Sequence, residues 1–332
     1  HAHVNSSHEE LVARVAESVG FSQISVSSRV ARLERIVPRG DTTLVDAYLG
    51  GTIRGYVASL RRSMPQARIR LMTSSGGLID ADSAGGKDTI LSGPAGGVLG
   101  CAHVSRAAGF DRTIGFDMGG TSTDVIRIEP PPNAFEYQHE TVKDGVRIMS
   151  PMLAVETVAA GGGSICTFDG QKLTVGPHSA GADPGPACYG RGGPLTVTDV
   201  NLFLGRVSAE HFPFTLDRQA VEQKLTALRE EVCVATGTSL TPAGLADGFI
   251  QIANGHMAVA IRKVSIAKGY DPADYTLTTF GGAGGQHACA IAEALAIPRV
   301  LCSPYAGVLS ALGIGTAPIK RVCEQSVSAA LN

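Results

Sequence analysis

The feature that most constrains the fold is a run of ten residues, 116–125, with the sequence FDMGGTSTDV. An apolar stretch leads directly into two glycines, three hydroxyl residues and a second aspartate. Glycines let backbone amides approach a phosphate group closely, and hydroxyl side chains donate further hydrogen bonds. An acidic residue can hold a hydrated Mg²⁺ ion beside the phosphates. The run therefore predicts a strand, a phosphate-binding turn and a second strand.

A plain β-hairpin with Gly119 and Gly120 in its turn would explain an isolated Asp-x-Gly-Gly motif equally well. Three hydroxyl residues and the two flanking aspartates, Asp117 and Asp124, favour the phosphate-binding interpretation. The run is not a Walker A loop, since no lysine follows the glycines, and it is not the Gly-x-Gly-x-x-Gly fingerprint of dinucleotide-binding folds. A different nucleotide-binding fold is required.

A second glycine-rich motif occupies residues 278–287, with the sequence TTFGGAGGQH. An apolar strand ends in glycines that open a helix, where unpaired amides and the helix dipole favour an anion. Bare glycine backbone could also pack against a flat nucleoside. Close packing of helix on strand would explain one or two glycines, but hardly four in the five positions 281–285. His287 fits either a catalytic base or a hydrogen-bonded packing residue.

Other candidates are weaker when taken singly. Residues 92–97 and 160–164 are glycine-rich and could bind phosphate, but helix capping or a tight turn would explain them too. Asp183 and Cys188 could contribute to a metal site or supply a nucleophile. A cysteine without a histidine at a recognised spacing is more often a small buried apolar residue.

Composition excludes several classes of protein. The chain has 44% hydrophobic and 17% charged residues, as folded globular proteins do. A net charge of −2 without basic blocks argues against binding to nucleic acid or to an anionic membrane surface. The most apolar region is interrupted by glycines and prolines, so a membrane span is not expected. Seven cysteines without a Cys-x-x-Cys pair favour a reducing cytoplasm.

Apolar periodicity and turn residues predict a mixed α/β fold in two lobes. Helices are predicted over residues 9–19, 41–60, 221–236 and 241–269. Strands are predicted over residues 22–26, 68–73, 112–116, 125–128 and 275–280.

Taken together, the motifs resemble those of the hydantoinase A/5-oxoprolinase family, and their residues are most similar to those of its 5-oxoprolinase group. This family belongs to the actin, sugar-kinase and heat-shock ATPase superfamily. The resemblance extends over essentially the whole chain. It rests, in family order, on residues 37–43, 91–98, 115–125, 158–164, 176–193 and 280–290.

The resemblance implies an actin-like, two-lobed α/β fold. Residues 1–110 would be the remainder of the first lobe, and residues 111–332 would form a second, nucleotide-binding lobe with a Gly/Pro-rich β insertion at about 130–205. Family members carry a further N-terminal segment with its own Asp-x-Gly-Gly-Thr motif, whereas this chain has one such motif. The N-terminal part of the first lobe is therefore expected to be missing, and the isolated chain is expected to hydrolyse ATP poorly.

The activity implied by the resemblance is ATP-dependent ring opening of a cyclic amide such as 5-oxoproline or a hydantoin. ATP and Mg²⁺ would be the cofactors, with Asp117 and Asp124 as catalytic and metal-binding residues. The expected phosphate ligands are Gly119, Gly120, Thr121, Ser122 and Thr123. The expected nucleoside-binding residues are Gly281, Gly282, Ala283, Gly284 and Gly285.

Two other functions stay open at this point. The same nucleotide residues would serve the ATPase subunit of a ketone carboxylase, and a nucleotide-dependent clamp without catalysis would resemble actin and the chaperones. The resemblance also implies a hydantoinase-B-like partner subunit or domain and an oligomeric enzyme. The sequence does not determine the substrate, because specificity depends on the side chains that line a cleft.

Overall fold

The structure is a computed structural model that describes residues 2–143 and 145–322. These residues form two compact units. The first unit contains residues 2–100, 135–154 and 310–322, apart from residue 144, and the second contains residues 101–134 and 155–309. Both helices and strands contribute, so the mixed α/β class predicted from the sequence is confirmed.

The helices, in chain order, are α1 Ser7–Ser18, α2 Ser27–Val30, α3 Ile36–Ser63, α4 Ser92–Ala107, α5 Val197–Phe203, α6 Arg218–Thr236, α7 Pro242–Val264, α8 Ala288–Ala294 and α9 Leu309–Thr316. The strands are β1 Arg70–Met72, β2 Leu78–Asp80, β3 Thr113–Met118, β4 Thr123–Ile128, β5 Tyr137–Gln138, β6 Thr141–Lys143, β7 Val146–Ile148, β8 Met152–Leu153, β9 Glu156–Val158, β10 Ser164–Phe168, β11 Leu173–Ser179, β12 Thr276–Phe280 and β13 Arg299–Cys302.

The first unit contains the β1–β2 hairpin, whose tight turn begins at Thr73. The amide of Thr73 donates to the carbonyl of Gly77 at 2.9 Å. A later segment of the chain pairs with β2, because the amide of Leu78 donates to Pro318 O at 2.9 Å and the amide of Lys320 donates to Leu78 O at 3.2 Å. A Cβ at Gly77 would lie 2.5 Å from Cβ of Lys320, so glycine is required for this close approach.

The two compact units interleave along the chain. The first unit runs to Gly100 and also contains residues 135–154 and 310–322, and the predicted lobe boundary near residue 110 stays a prediction. The physical reason is long-range pairing. Residues 318–320 bond to β2, and β7 and β8 lie in the segment that packs with the first unit. The region predicted as a single β insertion, 130–205, is therefore shared between the two units.

The second unit is built on a five-stranded sheet with the order β13-β12-β3-β4-β9. Strand β12 is parallel to both β13 and β3, while β3, β4 and β9 are antiparallel neighbours. All five residues of β12 are buried, and so are five of the six in β3. Because parallel strands end at the same edge of a sheet, the glycine-rich segments that follow β3 and β12 are brought together.

Helix α7 supplies much of the second unit's core. Thr241 caps its first turn, since its Oγ1 accepts from the amide of Gly244 at 3.0 Å, and Pro242 stands at the first helical position. Leu245, Phe249 and Met257 on its inner face are each 0% exposed. The helix packs against β4, β9 and β11, so it fixes the back of the sheet that carries the glycine loops.

Two predicted elements need correction. Residues 22–26 were predicted as a strand, but in the described structure they pair with no other strand and are not part of any sheet. Helix α7 ends at Val264 rather than near 269. Ser265 leaves the helical region and its hydroxyl donates to Ile261 O at 2.6 Å, and a 3-10 turn then leads to Gly269, whose φ is +83°.

Candidate functional site

The first component of the site is the hairpin formed by β3 and β4, which the sequence predicted. Asp117 stands directly opposite Asp124 in the antiparallel register, and Met118 stands opposite Thr123. Directly opposed residues have their side chains on the same face of the sheet, within about 4.5–5.5 Å at Cβ. The hairpin therefore presents two carboxylates side by side at the point where its turn begins.

The two carboxylates differ in their surroundings. Asp124 accepts a hydrogen bond from Thr157 Oγ1 at 2.7 Å. Asp117 is half-buried, and burial, followed by the nearby charge of Asp124, raises the pKa of Asp117 to about 6. Like charges in a partly dry site are unfavourable. A cation placed between the two groups would relieve this repulsion.

The second component is the glycine segment 161–163, which packs directly on the hairpin turn. The amide of Gly162 donates to Gly119 O at 3.0 Å, and the amide of Gly163 donates to Gly120 O at 2.6 Å. A Cβ at Gly161 would lie 2.7 Å from the backbone of Gly120. Any side chain there would push the two loops apart, so this glycine has a structural role.

The third component is the loop that follows β12. The amide of Ala283 donates to Met118 O at 3.0 Å, which ties this loop to the hairpin. Gly281 has a φ of +81°, and a Cβ there would lie 2.4 Å from Asp117 Oδ1 and 2.5 Å from Met118 O. A Cβ at Gly284 would likewise lie 2.5 Å from Thr279 Oγ1. Gly281 therefore permits the close contact between the loop and Asp117, and Gly284 permits the loop to pack on the end of β12.

Other glycines of the site face open space. A Cβ added at Gly120, Gly282 or Gly285 would meet no atom of the described chain within 4 Å. At Gly119 the nearest such atom is Ser122 O, at 3.9 Å. Their side-chain positions are therefore unused by packing, and bare backbone is exposed beside the carboxylates. This is the arrangement that close approach of a phosphate or a flat ring requires.

The predicted hydroxyl ligands do not share one environment. Thr121 is exposed and Ser122 is half-buried, so both can reach a ligand. Thr123 is 0% exposed, and its hydroxyl donates to Ala160 O at 2.6 Å. Its side chain therefore binds the neighbouring glycine segment rather than facing outward, and only the backbone of Thr123 borders the turn.

His287 is a packing residue in this structure. The side chain is 0% exposed; Nδ1 donates to Asn254 Oδ1 at 2.7 Å, and Nε2 accepts from Asn201 Nδ2 at 2.9 Å. Burial, with a smaller contribution from Arg206, lowers the pKa of His287 to about 4. The imidazole is therefore neutral and occupied on both nitrogens, which disfavours the catalytic-base alternative.

Cys188 and Asp183 do not form a reactive pair. Cys188 is 0% exposed, and burial raises the pKa of its thiol, so it stays protonated and inert. Asp183 lies exposed on the surface. Within residues 2–143 and 145–322, no group of three or more His, Cys, Asp or Glu side chains is placed to hold a metal ion.

Residues 92–97 form the first turn and a half of α4. A Cβ at Gly96 would lie 2.9 Å from Ser310 O and 3.0 Å from the side chain of Ile314. Close helix packing therefore accounts for this glycine.

Sequence reasoning missed the residues that brace the loops from behind. Thr198 on α5 donates through both its amide and its hydroxyl to Gly162 O, at 2.7 and 2.8 Å. Asp199 is 0% exposed and accepts from the amides of Ala187, Cys188 and Thr196 at 2.7–3.0 Å. The spacing Thr196-x-x-Asp199 is a capping-box signal that could have revealed this anchor.

Comparison with known proteins shows the family of the chain. The model of the hydantoinase/oxoprolinase proteins matches residues 39–322. The chain belongs to the hydantoinase/oxoprolinase family. This family member is 42% identical to the 5-oxoprolinase of Saccharomyces cerevisiae over 335 residues, which cover 96% of the chain and 26% of the yeast protein.

Two solved structures confirm the actin-like α/β fold predicted for this hydantoinase/oxoprolinase chain. The ATP-dependent caprolactamase of Pseudomonas jessenii superimposes with a TM-score of 0.81 at 34% identity, over 96% of this chain and 47% of that one. Nucleotide-free acetone carboxylase also gives a TM-score of 0.81, at 25% identity, over 96% and 46%. The chain thus spans about a quarter of the yeast relative and just under half of each solved chain.

Among the described residues of this family member, no helix combines the length and the apolar character that crossing a membrane needs.

Proposed function

We propose that this chain is the ATP-binding and phosphorylating part of an ATP-dependent hydrolase that opens a cyclic amide. The observation that carries the proposal is the paired carboxylates of Asp117 and Asp124, bordered by open glycine backbone at Gly120, Gly282 and Gly285. Membership of the hydantoinase/oxoprolinase family supports it. So does the likeness to an ATP-dependent caprolactamase.

Mg²⁺ fits the donor set of this site. Mg²⁺ usually keeps several water molecules and binds proteins through one or two carboxylates together with substrate phosphates. Asp117 and Asp124 are two such carboxylates, and the raised pKa of Asp117 reflects a site that lacks positive charge. They would hold the ion, which when bound neutralises charge on the phosphates.

The glycine loops would orient the nucleotide. Backbone amides of residues 120–122 would donate to the phosphate oxygens, with the hydroxyls of Thr121 and Ser122 adding further donors; the amide of Gly119 is used within the turn, where it donates to Ser122 O at 3.1 Å. Within residues 281–285, Gly282 and Gly285 would lie against the nucleoside, since their open positions leave room for a flat ring. Phosphoryl transfer depends mainly on positioning and on charge stabilisation from several directions, which a rigid cluster of hydrogen-bonded loops supports.

ATP would serve to make an inert amide reactive. The carbonyl oxygen of the cyclic amide attacks the γ-phosphorus and ADP leaves, which turns that oxygen into a phosphate ester. Water then adds to the ring carbon and the C–N bond breaks, which gives an acyl phosphate with a free amine. A second water molecule hydrolyses the acyl phosphate to inorganic phosphate and the carboxylate of the amino acid. A bound cation would lower the pKa of Asp117 again, so the carboxylate would stay charged and hold the ion beside the phosphates.

A second candidate is the ATPase subunit of a carboxylase, and the superposition on acetone carboxylase favours keeping it. It ranks below ring opening because the sequence identity is 25% to that enzyme, against 34% to caprolactamase and 42% to the yeast 5-oxoprolinase. In both cases a hydantoinase-B-like subunit or domain and an oligomeric assembly are part of the proposal. The alpha designation of the caprolactamase subunit supports such a partner.

The test is release of inorganic phosphate from Mg·ATP by the chain extended with the N-terminal segment that the resemblance implies, measured with lactams, hydantoins and ketones in turn. We expect a cyclic amide to stimulate phosphate release. The stimulation should be lost in Asp124→Asn and retained in the exposed control Asp111→Asn. Stimulation by ketones with bicarbonate alone would favour the carboxylase. Phosphate release that no such compound stimulates, and that is equal in Asp124→Asn, would refute both.

A further inference from the structure

The two glycine segments of the candidate site, 161–163 and 281–285, meet on the hairpin between β3 and β4. Both donate backbone amides to that hairpin, as described above. They also approach each other, since a Cβ at Gly162 would lie 3.6 Å from Cβ of Ala283. The spacing between the two segments therefore decides how much open glycine backbone borders the paired carboxylates.

Helix α5 contacts both segments through one of its faces. Thr198 donates through its amide and its hydroxyl to Gly162 O, at 2.7 and 2.8 Å. Asn201 donates from Nδ2 to Nε2 of His287 at 2.9 Å, and His287 follows the second segment two positions after Gly285. Residues three apart in a helix lie on the same face. Helix α5 thus holds one segment by Thr198 and the end of the other by Asn201.

The imidazole of His287 is fixed on its other side as well. Its Nδ1 donates to Oδ1 of Asn254 in α7 at 2.7 Å. The backbone amide of His287 donates to Gly284 O at 3.1 Å, and its carbonyl accepts from the amide of Ile291 at 3.1 Å. A displacement of α5 would therefore move the ring and, through it, the glycine segment that precedes it.

Asn201 is an unfavourable residue for packing alone. Its side chain is 0% exposed, and its Oδ1 has no hydrogen-bond partner within residues 2–143 and 145–322. A buried acceptor without a donor costs free energy, which an apolar side chain of the same branched shape, such as leucine, would not. The bond to His287 accounts for an amide at this position.

Helix α5 is itself held firmly in place. Asp199, which lies between the two contact residues, accepts from the amides of Ala187, Cys188 and Thr196, as described above. The helix also packs against α6 and α7. A helix anchored in this way keeps its two contacts at a constant separation.

We propose that Thr198 and Asn201 are positioning residues that link the two glycine segments through α5, so that the segments keep one spacing and bind the nucleotide as a unit. Neither side chain has to touch the nucleotide. That the linked segments bind Mg·ATP rests on the proposed function. The link itself does not, because it consists of hydrogen bonds within the second unit.

Hydrogen exchange of backbone amides, observed by NMR on the 332-residue chain without nucleotide, tests the link. The reporters are the amides of Gly162, Gly163 and Ala283, which donate to the hairpin. Asn201→Leu should speed exchange at Gly162 and Gly163, in the segment that Asn201 does not contact. Thr198→Val should likewise speed exchange at Ala283. The expected change is about threefold to tenfold, the effect of losing one hydrogen bond.

Both variants are expected to fold, which native circular dichroism checks. Thr198→Val keeps the shape of the side chain and the backbone amide bond. Asn201→Leu removes the unpaired Oδ1 and leaves Nε2 of His287 unpaired, so one buried unpaired acceptor replaces another. Ser265→Ala is the matched control, because its 0% exposed hydroxyl donates to Ile261 O at 2.6 Å at the C-terminal end of α7. Its reporter amides should exchange as in the parent.

Three exchange results would overturn the link. These are acceleration confined to the segment that each variant touches, no acceleration in either variant, or equal acceleration in Ser265→Ala. Each variant tests the link independently, so either one that keeps native circular dichroism decides it.

Mg·ATP affinity is then measured on the extended chain used for phosphate release. Variants in which both segments exchange faster should bind Mg·ATP about threefold to tenfold more weakly. Binding like that of the parent would overturn the positioning role. A parent that does not bind Mg·ATP, with the exchange results as expected, would count against the proposed function and leave the link standing.

Discussion

Replacing Asp117 by asparagine is expected to stabilise the second unit at neutral pH while weakening Mg·ATP binding. Burial, with repulsion from Asp124, raises the pKa of Asp117 from 3.8 to about 6. A tenfold change in an acid dissociation constant corresponds to ~1.4 kcal/mol, so charging this group in the folded chain costs up to about 3 kcal/mol. Because the carboxyl group keeps some contact with solvent, screening reduces the expected gain to about 1–2 kcal/mol.

The gain should depend on pH in a defined direction. Since the pKa is higher in the folded than in the unfolded chain, the folded parent holds the proton more tightly and loses stability as the pH rises from about 4 to about 6. Asparagine has no such loss. Scanning calorimetry should show Tm raised by about 2–8 °C at neutral pH. The increase should be roughly half as large near pH 5.

Asp111→Asn is the control, because that carboxylate is exposed on the same unit. Its Tm should differ little from the parent's at both pH values. If Asp117→Asn also melts like the parent at both, the carboxylate is not under electrostatic strain and the reasoning fails. If the variant is more stable yet binds Mg·ATP like the parent, the metal-binding role of Asp117 is wrong.

Gly282→Val should weaken ATP binding at least about tenfold with an unchanged Tm, because the valine side chain enters open space beside the carboxylates. Gly281→Val should instead lower Tm, because its side chain collides with Asp117. An unaltered ATP affinity in folded Gly282→Val would contradict the nucleoside assignment. His287→Gln should lower the free energy of unfolding, measured with denaturant, by about 1–3 kcal/mol, since two asparagines lose their hydrogen-bond partner. The pH profile of ATP hydrolysis should stay unchanged. A shifted profile would restore a catalytic role for His287. Cys188 should resist thiol reagents in the native chain while the exposed Cys289 reacts, as peptide mass spectrometry would show; equal modification would refute its burial.

Local signals in the sequence predicted the two strands and the glycine-rich turns that surround Asp117. An apolar run that ends in a glycine pair defines both β3 and β12, because each strand is buried on both faces and each turn needs small residues. The parallel pairing of these strands then places their glycine loops at one edge of the sheet. Much of the arrangement around Asp117 therefore follows from patterns only about ten residues long.

Other features depend on contacts between distant parts of the chain. The hydroxyl of Thr123 bonds to Ala160, and the sequence gives no sign that it points inward. The packing of residues 161–163 on the hairpin turn, and the pairing of residues 318–320 with β2, likewise join segments far apart in sequence. Periodicity reports which face of an element is buried but not which partner covers it. The anchoring hydrogen bonds of Asp199 in the second unit were missed for that reason.

The most direct test of the nucleotide site uses Mn²⁺ in place of Mg²⁺ and observes backbone amides by NMR. Titration with Mn·ATP should broaden the amide signals of residues 119–122 and 281–285, because the paramagnetic ion would lie beside Asp117 and Asp124. The same titration of Asp124→Asn should leave those signals sharp. Broadening confined to other parts of the chain, or equal broadening of these loops in the variant, would contradict the assignment of the paired carboxylates and open glycines as the nucleotide site.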